Sequence, residues 1–136
     1  MGTKGRKLFD GLAGGVPGIA IGKVRVTNGD EAKLAKLEPG EILVGDKFGP
    51  EHDPYLKKAL AIISNVGGMP AHVNIIARQF GKISISGTAG MDEPIEATRA
   101  LRDGQIILIE GYSTSVFGKR PDGTTYEKKF GTVYEY

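Results

Sequence analysis

Short apolar runs separated by glycine- and proline-bearing turns dominate the hydrophobic pattern of this chain. Ile19-Ala20-Ile21-Gly22-Lys23-Val24-Arg25-Val26 alternates, but its apolar phase slips between Ile21 and Val24, which predicts a strand with a bulge near Gly22. Glu31 to Leu37 reads as a short helical turn that Pro39-Gly40 ends. Ile42-Leu43-Val44 and Ala61-Ile62-Ile63 are continuous apolar runs, the pattern of strands covered on both faces, and Tyr55 to Leu60 between them reads as helix. Val73, Ile76, Ala77 and Phe80 recur at i, i+3, i+4 and i+7, predicting a helix with one face on a sheet, stopped by Gly81. Ile83 and Ile85 alternate with Ser84 and Ser86 as a half-buried strand, Asp103-Gly104 turns the chain, and Gln105 to Glu110 forms another strand. Tyr126, Tyr134 and Tyr136 are expected to pack on a sheet face. Strands that feed helices predict an α/β domain.

Composition narrows this picture. A chain of 136 residues with 40% hydrophobic content buries one core rather than two, so residues 1–136 are read as a single domain. Residues 1–16 read as an N-terminal loop or extension, and residues 112–130, with Pro121-Asp122-Gly123 at their centre, as a β-hairpin insertion. The absence of cysteine excludes disulfides and thiolate chemistry and suits a reducing cytoplasm, the expected location. A net charge of +2, with bases scattered among acids, leaves no nucleic-acid footprint. No segment approaches the ~20 apolar residues of a membrane helix. Asp10, the nearby glycines and Pro17 interrupt any signal-like apolar stretch after Lys4, Arg6 and Lys7.

The candidate chemistry lies in Gly67-Gly68-Met69-Pro70-Ala71-His72. Pro70, with fixed φ and no N–H, is a natural first helical residue, which makes Met69 the N-cap. Met has no capping oxygen, so the amides of Ala71, His72 and Val73 stay open to water or an anion, and Gly67 and Gly68 add backbone that an anion can approach. An imidazole with its ordinary pKa is largely neutral at pH 7 and supplies a nitrogen able to attack phosphorus. A helix N-terminus then favours the anionic product. A histidine at such a place is also common as a surface or core-edge residue, and the residues alone leave both readings open.

Other residues carry plainer expectations. His52, between Glu51 and Asp53, reads as part of a surface loop rather than a metal centre. Arg78 lies about 240° round the helix from His72, better placed for the helix C-terminus or a partner than for a phosphate. Gly11, Gly14, Gly15 and Gly18 lack dinucleotide-site spacing, and no Gly-x-Ser-x-Gly elbow is present.

The run Gly67 to Arg78 resembles the phosphohistidine signature Gly-Gly-x-Thr-x-His-x-x-Ile-x-x-Arg of phosphoenolpyruvate-utilising enzymes such as phosphoenolpyruvate synthase and pyruvate phosphate dikinase. Pro17 to Val24, Gly40 to Val44, Ala61 to Ile63, Gly87-Thr88, Leu101 to Gln105, Ile109 to Gly111 and Gly131 to Tyr134 are similar to further segments of that family. The likeness spans residues 17–136 with two insertions, within 89–99 and between Gly111 and Gly131. It implies a swivelling β/β/α three-layer fold with a central, largely parallel sheet. His72 would be the transiently phosphorylated (or pyrophosphorylated) residue, and Gly67, Gly68, Ala71 and Thr88 would bind phosphate. The domain itself would bind no cofactor. ATP and Mg²⁺ would sit on a nucleotide-binding partner domain or subunit, and pyruvate, phosphoenolpyruvate or another acceptor on a second. The alternative is a non-catalytic swivelling module.

This chain also departs from the family pattern. Pro70 stands where a Thr is usual, Ser64-Asn65 replaces Thr-acid, and Gly49-Pro50-Glu51 replaces Thr-Pro-acid; Ser86 or Thr88 is the expected substitute hydroxyl.

Overall fold

A computed structural model describes residues 5–27, 30–67 and 71–136. Among them run seven strands, β1 (Lys7–Ala13), β2 (Ile19–Val26), β3 (Glu41–Gly45), β4 (Ala61–Ser64), β5 (Ile83–Ser86), β6 (Ile106–Lys119) and β7 (Thr125–Glu135). Four helices, α1 (Glu31–Ala35), α2 (Asp53–Lys58), α3 (His72–Gln79) and α4 (Ala97–Ala100), lie between strands. Strands β2, β3, β4 and β5 pair in parallel. The remaining pairings are antiparallel, and β1 with β7 closes the sheet in the order β1-β5-β4-β3-β2-β6-β7. The fold is thus mixed α/β and dominated by one sheet that closes into a barrel, its β2 to β5 wall parallel and the rest antiparallel.

Two facing glycines allow that closure. Gly11 of β1 pairs with Gly131 of β7. A Cβ at Gly131 would come within 2.1 Å of Ile85 Cδ1, and one at Gly11 within 2.6 Å of Ile85 Cγ2, so the missing side chains make room for Ile85 between the walls. Residues 1–16 are therefore not simply a loop: Lys7 to Ala13 form a barrel strand. Its glycine and aspartate lower local strand propensity, and pairing with β5 and β7 overrides that.

The alternation of β3 and β4 divides the core in two. Ile42, Val44, Ala61 and Ile63 join Phe9, Val24, Ile85, Ile107, Ile109 and Val133 inside the barrel. Leu43 and Ile62 face outward into a second cluster with Leu34, Leu56, Ala59, Val73, Ile76 and Ala77, which the helices supply. Both faces of β3 and β4 are dry, so both strands are continuous apolar runs. The same helical cover buries Ser84 and Ser86, making β5 fully buried rather than half-buried. Phe80, expected in the buried stripe of α3, is the C-cap of that helix and 41% exposed, with Lys57 Nζ 4.8 Å from its ring centre.

No bulge occurs at Gly22. The β2–β6 register runs unbroken from Ile19 opposite Glu110 to Lys23 opposite Ile106. The apparent phase slip arises because Ile19 and Ile21 face solvent while Ala20, Val24 and Val26 are buried. Gly22 holds the intervening position, where a Cβ would lie 2.7 Å from the Gly40 carbonyl.

Beyond the barrel, β6 and β7 continue as a two-stranded arm from Thr114 opposite Phe130 to Lys119 opposite Thr125. At its tip the Asp122 carboxylate accepts from the Thr124 amide at 3.0 Å, and Gly123 adopts φ +90°. Tyr126 lies across Gly118 beneath the Arg120 guanidinium, while Tyr136 is exposed.

An ion pair buttresses the parallel wall and sets an acid limit on stability. Arg25 on β2 donates to both carboxylate oxygens of Glu41 on β3, at 3.2 and 3.0 Å. Burial opposes ionisation of Glu41, but Arg25 and the Glu38 amide hold its carboxyl below the usual value. A depressed folded-state pKa contributes stability above the unfolded value of about 4.3 that is lost as pH falls through the folded value. Glu41→Gln is expected to cost about 1–3 kcal/mol at pH 7 and much less at pH 3, as urea unfolding at both pH values would measure.

Candidate functional site

The site is built where the starts of α2 and α3 meet. Leu56 and Ala59 from the α2 segment pack with Val73, Ile76 and Ala77 of α3, which sets the two helices side by side. The entry into α2 is tightly specified. Gly49 N–H donates to His52 Nδ1 at 2.9 Å, Pro50 starts a 3₁₀ turn that His52 ends, and the His52 ring meets Phe48 edge-on at 5.6 Å. His52 is therefore an architectural residue that fixes the turn. Asp53 then begins α2, with Pro54 next in a position where a missing N–H costs nothing. Helix α2 starts two residues before the apolar pattern at Tyr55 suggests.

Helix α3 begins at His72. Ala71 is extended, with ψ 144°, and is the N-cap without a side-chain hydrogen bond. The helix thus starts at His72 with Ala71 as its cap, whereas the sequence places the start at Pro70 with Met69 as cap. Gly68, Met69 and Pro70 lie outside the described residues. The Asn74 and Ile75 amides donate to the Ala71 carbonyl. The first amides of a helix have no carbonyl partner within it, so those of His72 and Val73 stand outside the intrahelical ladder.

His72 Nε2 lies 2.7 Å from Asp53 Oδ1, with the two side chains 31% and 29% exposed. This juxtaposition is the main feature that sequence reasoning missed. Its only local signal is Asp53-Pro54, a helix-start dipeptide, and nothing in the spacing couples residues 19 positions apart.

Gly67 meets the end of β5: a Cβ there would lie 3.1 Å from Ser86 Cβ and 3.6 Å from Ser64 Oγ, and a Cβ on Gly87 would reach the Gly67 carbonyl at 2.8 Å. Gly87 at φ +66° turns the chain into Thr88, so the fold brings Gly67 and the Gly87-Thr88 turn together. Thr88 is wholly buried, and the hydroxyls of Ser64 and Thr88 have no hydrogen-bond partner among the described residues. Asn65 anchors the loop, donating to Asp46 Oδ1 at 3.1 Å and to Thr98 Oγ1 at 2.9 Å.

The far side of α3 is fastened by polar groups. Asn74, wholly buried, donates to Ser86 Oγ and accepts from Ser84 Oγ, each at 2.9 Å. Arg78 donates to the Gly14 carbonyl at 2.9 Å, tethering the segment after β1. No group of three or more His, Cys, Asp or Glu side chains suited to a metal occurs among the described residues, and no helix there is long and apolar enough to cross a membrane.

The chain is similar in sequence to known proteins. The chain is 37% identical over 118 residues to a probable phosphoenolpyruvate synthase of Archaeoglobus fulgidus, covering 87% of this chain and 15% of that protein. It is 38% identical over 95 residues to a phosphoenolpyruvate synthase of Aeropyrum pernix, covering 70% of this chain and 11% of the relative. Against the phosphoenolpyruvate synthase of Escherichia coli it is 34% identical over 107 residues, 79% of this chain and 12% of that protein. It thus spans only a small part of the length of these larger relatives. The family model for the mobile domain of PEP-utilising enzymes matches residues 37–114, from the turn before β3 through α2 and α3 into β6. With more than half its length so matched, the chain belongs to the PEP-utilising enzyme mobile-domain family.

Proposed function

We propose that this chain is a phosphoryl carrier in which His72 is transiently phosphorylated. The observation that carries the reading is the position of His72, one-third exposed at the uncapped start of α3, in a chain of this family. A ring nitrogen attacks the donor's phosphorus, an N–P bond forms, and the P–O bond breaks with its electron pair leaving on oxygen. The ring proton passes to solvent or to that oxygen, and the reverse displacement delivers the phosphoryl group to an acceptor. The start of α3 favours the added negative charge by about 0.3–1 kcal/mol. Gly67, Gly68 and the Ala71 amide are proposed to cradle the phosphate. Thr88 contributes its hydroxyl only if the turn around it opens, because that oxygen is wholly buried.

Donor and acceptor sites are assigned to other domains or subunits: a nucleotide site holding ATP with Mg²⁺, and a site for pyruvate, phosphoenolpyruvate or another acceptor. The test mixes the chain with labelled phosphoenolpyruvate or ATP and its cognate partner proteins. Acid-labile, base-stable label on the chain supports the carrier. No label with demonstrably active partners sinks it and leaves a non-catalytic swivelling module.

A further inference from the structure

We propose that Asp53 is a resting lock on His72, holding the unphosphorylated ring by the nitrogen that receives the phosphoryl group. The inference rests on the carrier reading. Nε2 is the ring nitrogen farther from the backbone and the better placed to reach a donor on another domain, and it is the nitrogen that lies 2.7 Å from Asp53 Oδ1. A carboxylate is an acceptor only, so this bond puts a proton on Nε2 and leaves the ring's lone pair on Nδ1. While the pair stands, Nε2 is both protonated and blocked.

Asp53 is not placed there by chance contact. The His52 cap, the Pro50 turn and Pro54 fix the start of α2, so the carboxylate is held by an element distinct from the one that carries the histidine. Both side chains keep about 30% exposure, which leaves the ring a route away from α2 into solvent. Once free, the ring exchanges its proton between nitrogens through water and presents the Nε2 lone pair. A phosphoryl group on Nε2 would bring negative charge against the Asp53 carboxylate, so the phosphorylated ring stays away and the pair re-forms only after transfer. Asp53 is thus a positioning residue that favours the unloaded carrier.

Potassium phosphoramidate tests this on the full chain without any partner. Nε2 attacks phosphorus, the P–N bond breaks, and the nitrogen leaves as ammonia, which takes up the ring proton as ammonium. Asp53→Ala is expected to accelerate phosphorylation of His72 by roughly two- to five-fold, the range set by a partly exposed ion-paired hydrogen bond. Asp53→Asn, nearly the same shape without the charge, should show a smaller acceleration, which guards against misfolding of the alanine variant. Ring ¹⁵N shifts should show Nε2 protonated in the unmodified chain, and the product should be Nε2-linked. Equal or slower phosphorylation in both variants, an Nδ1–H resting ring, or an Nδ1-linked product overturns the lock. The carrier reading fails separately, if partners and their labelled donor never load His72 while phosphoramidate does.

Discussion

His72→Asn is expected to reduce acid-labile label from phosphoenolpyruvate or ATP, supplied with cognate partners, to background while leaving the fold intact. Asparagine has no nitrogen nucleophilic enough to attack phosphorus, and no other histidine can take over. His52, the second of two, uses Nδ1 to accept the Gly49 amide and packs edge-on against Phe48, so its place is structural. The structural cost of the substitution is small. His72 is the first residue of α3, contributes nothing to the two apolar clusters, and loses only a partly exposed pair with Asp53. Stability should change by less than about 1 kcal/mol in urea unfolding, which separates a chemical loss from a folding loss. Full labelling of His72→Asn would refute the assignment of the nucleophile.

Asn74→Leu, two residues further on, is expected to do the opposite: to lower stability by about 2–4 kcal/mol through a residue with no place in the chemistry. Asn74 is wholly buried and bridges Ser84 and Ser86, both also wholly buried on the outer face of β5. Leucine would keep the bulk and strand both hydroxyls without partners. The site cannot relax freely, because the backbone of Gly14 presses on the same amide: a Cβ there would come within 2.0 Å of Asn74 Oδ1. Thermal unfolding should fall by roughly 10 °C, and urea unfolding should show the loss directly. A change under about 1 kcal/mol would mean that the serines find other partners.

These two neighbours show how unevenly the site was legible. The motif from Gly67 to Arg78 drew attention to His72 because glycines, a proline and an imidazole in that order carry their own local chemistry. Asn74 sits in the same run without such a signal, since a polar residue beside Val73 reads as the start of a solvent face. Only the serines of β5, brought against α3 by the parallel pairing of β4 and β5, make it a buried bridge. Asp53 was hidden for a similar reason. It stands in a proline-bearing segment that looks like loop, and its meaning depends on α2 packing beside α3.

The sequence by itself determined the strands and helices from β2 to β6 apart from α4, the double cover of β3 and β4, and the family, because each of these leaves a local trace in hydrophobic period or motif. Tertiary structure alone decided the closure of the barrel through Gly11 and Gly131, the inward phase of β2, the start of α3 at His72, and the meeting of His72 with Asp53. The physical reason is common to all four. Periodicity reports which face of an element is dry, but not which distant segment dries it. Contacts between residues 19 or 120 positions apart are fixed only when whole elements pack, and in this protein that packing puts a carboxylate on the proposed phosphoryl acceptor.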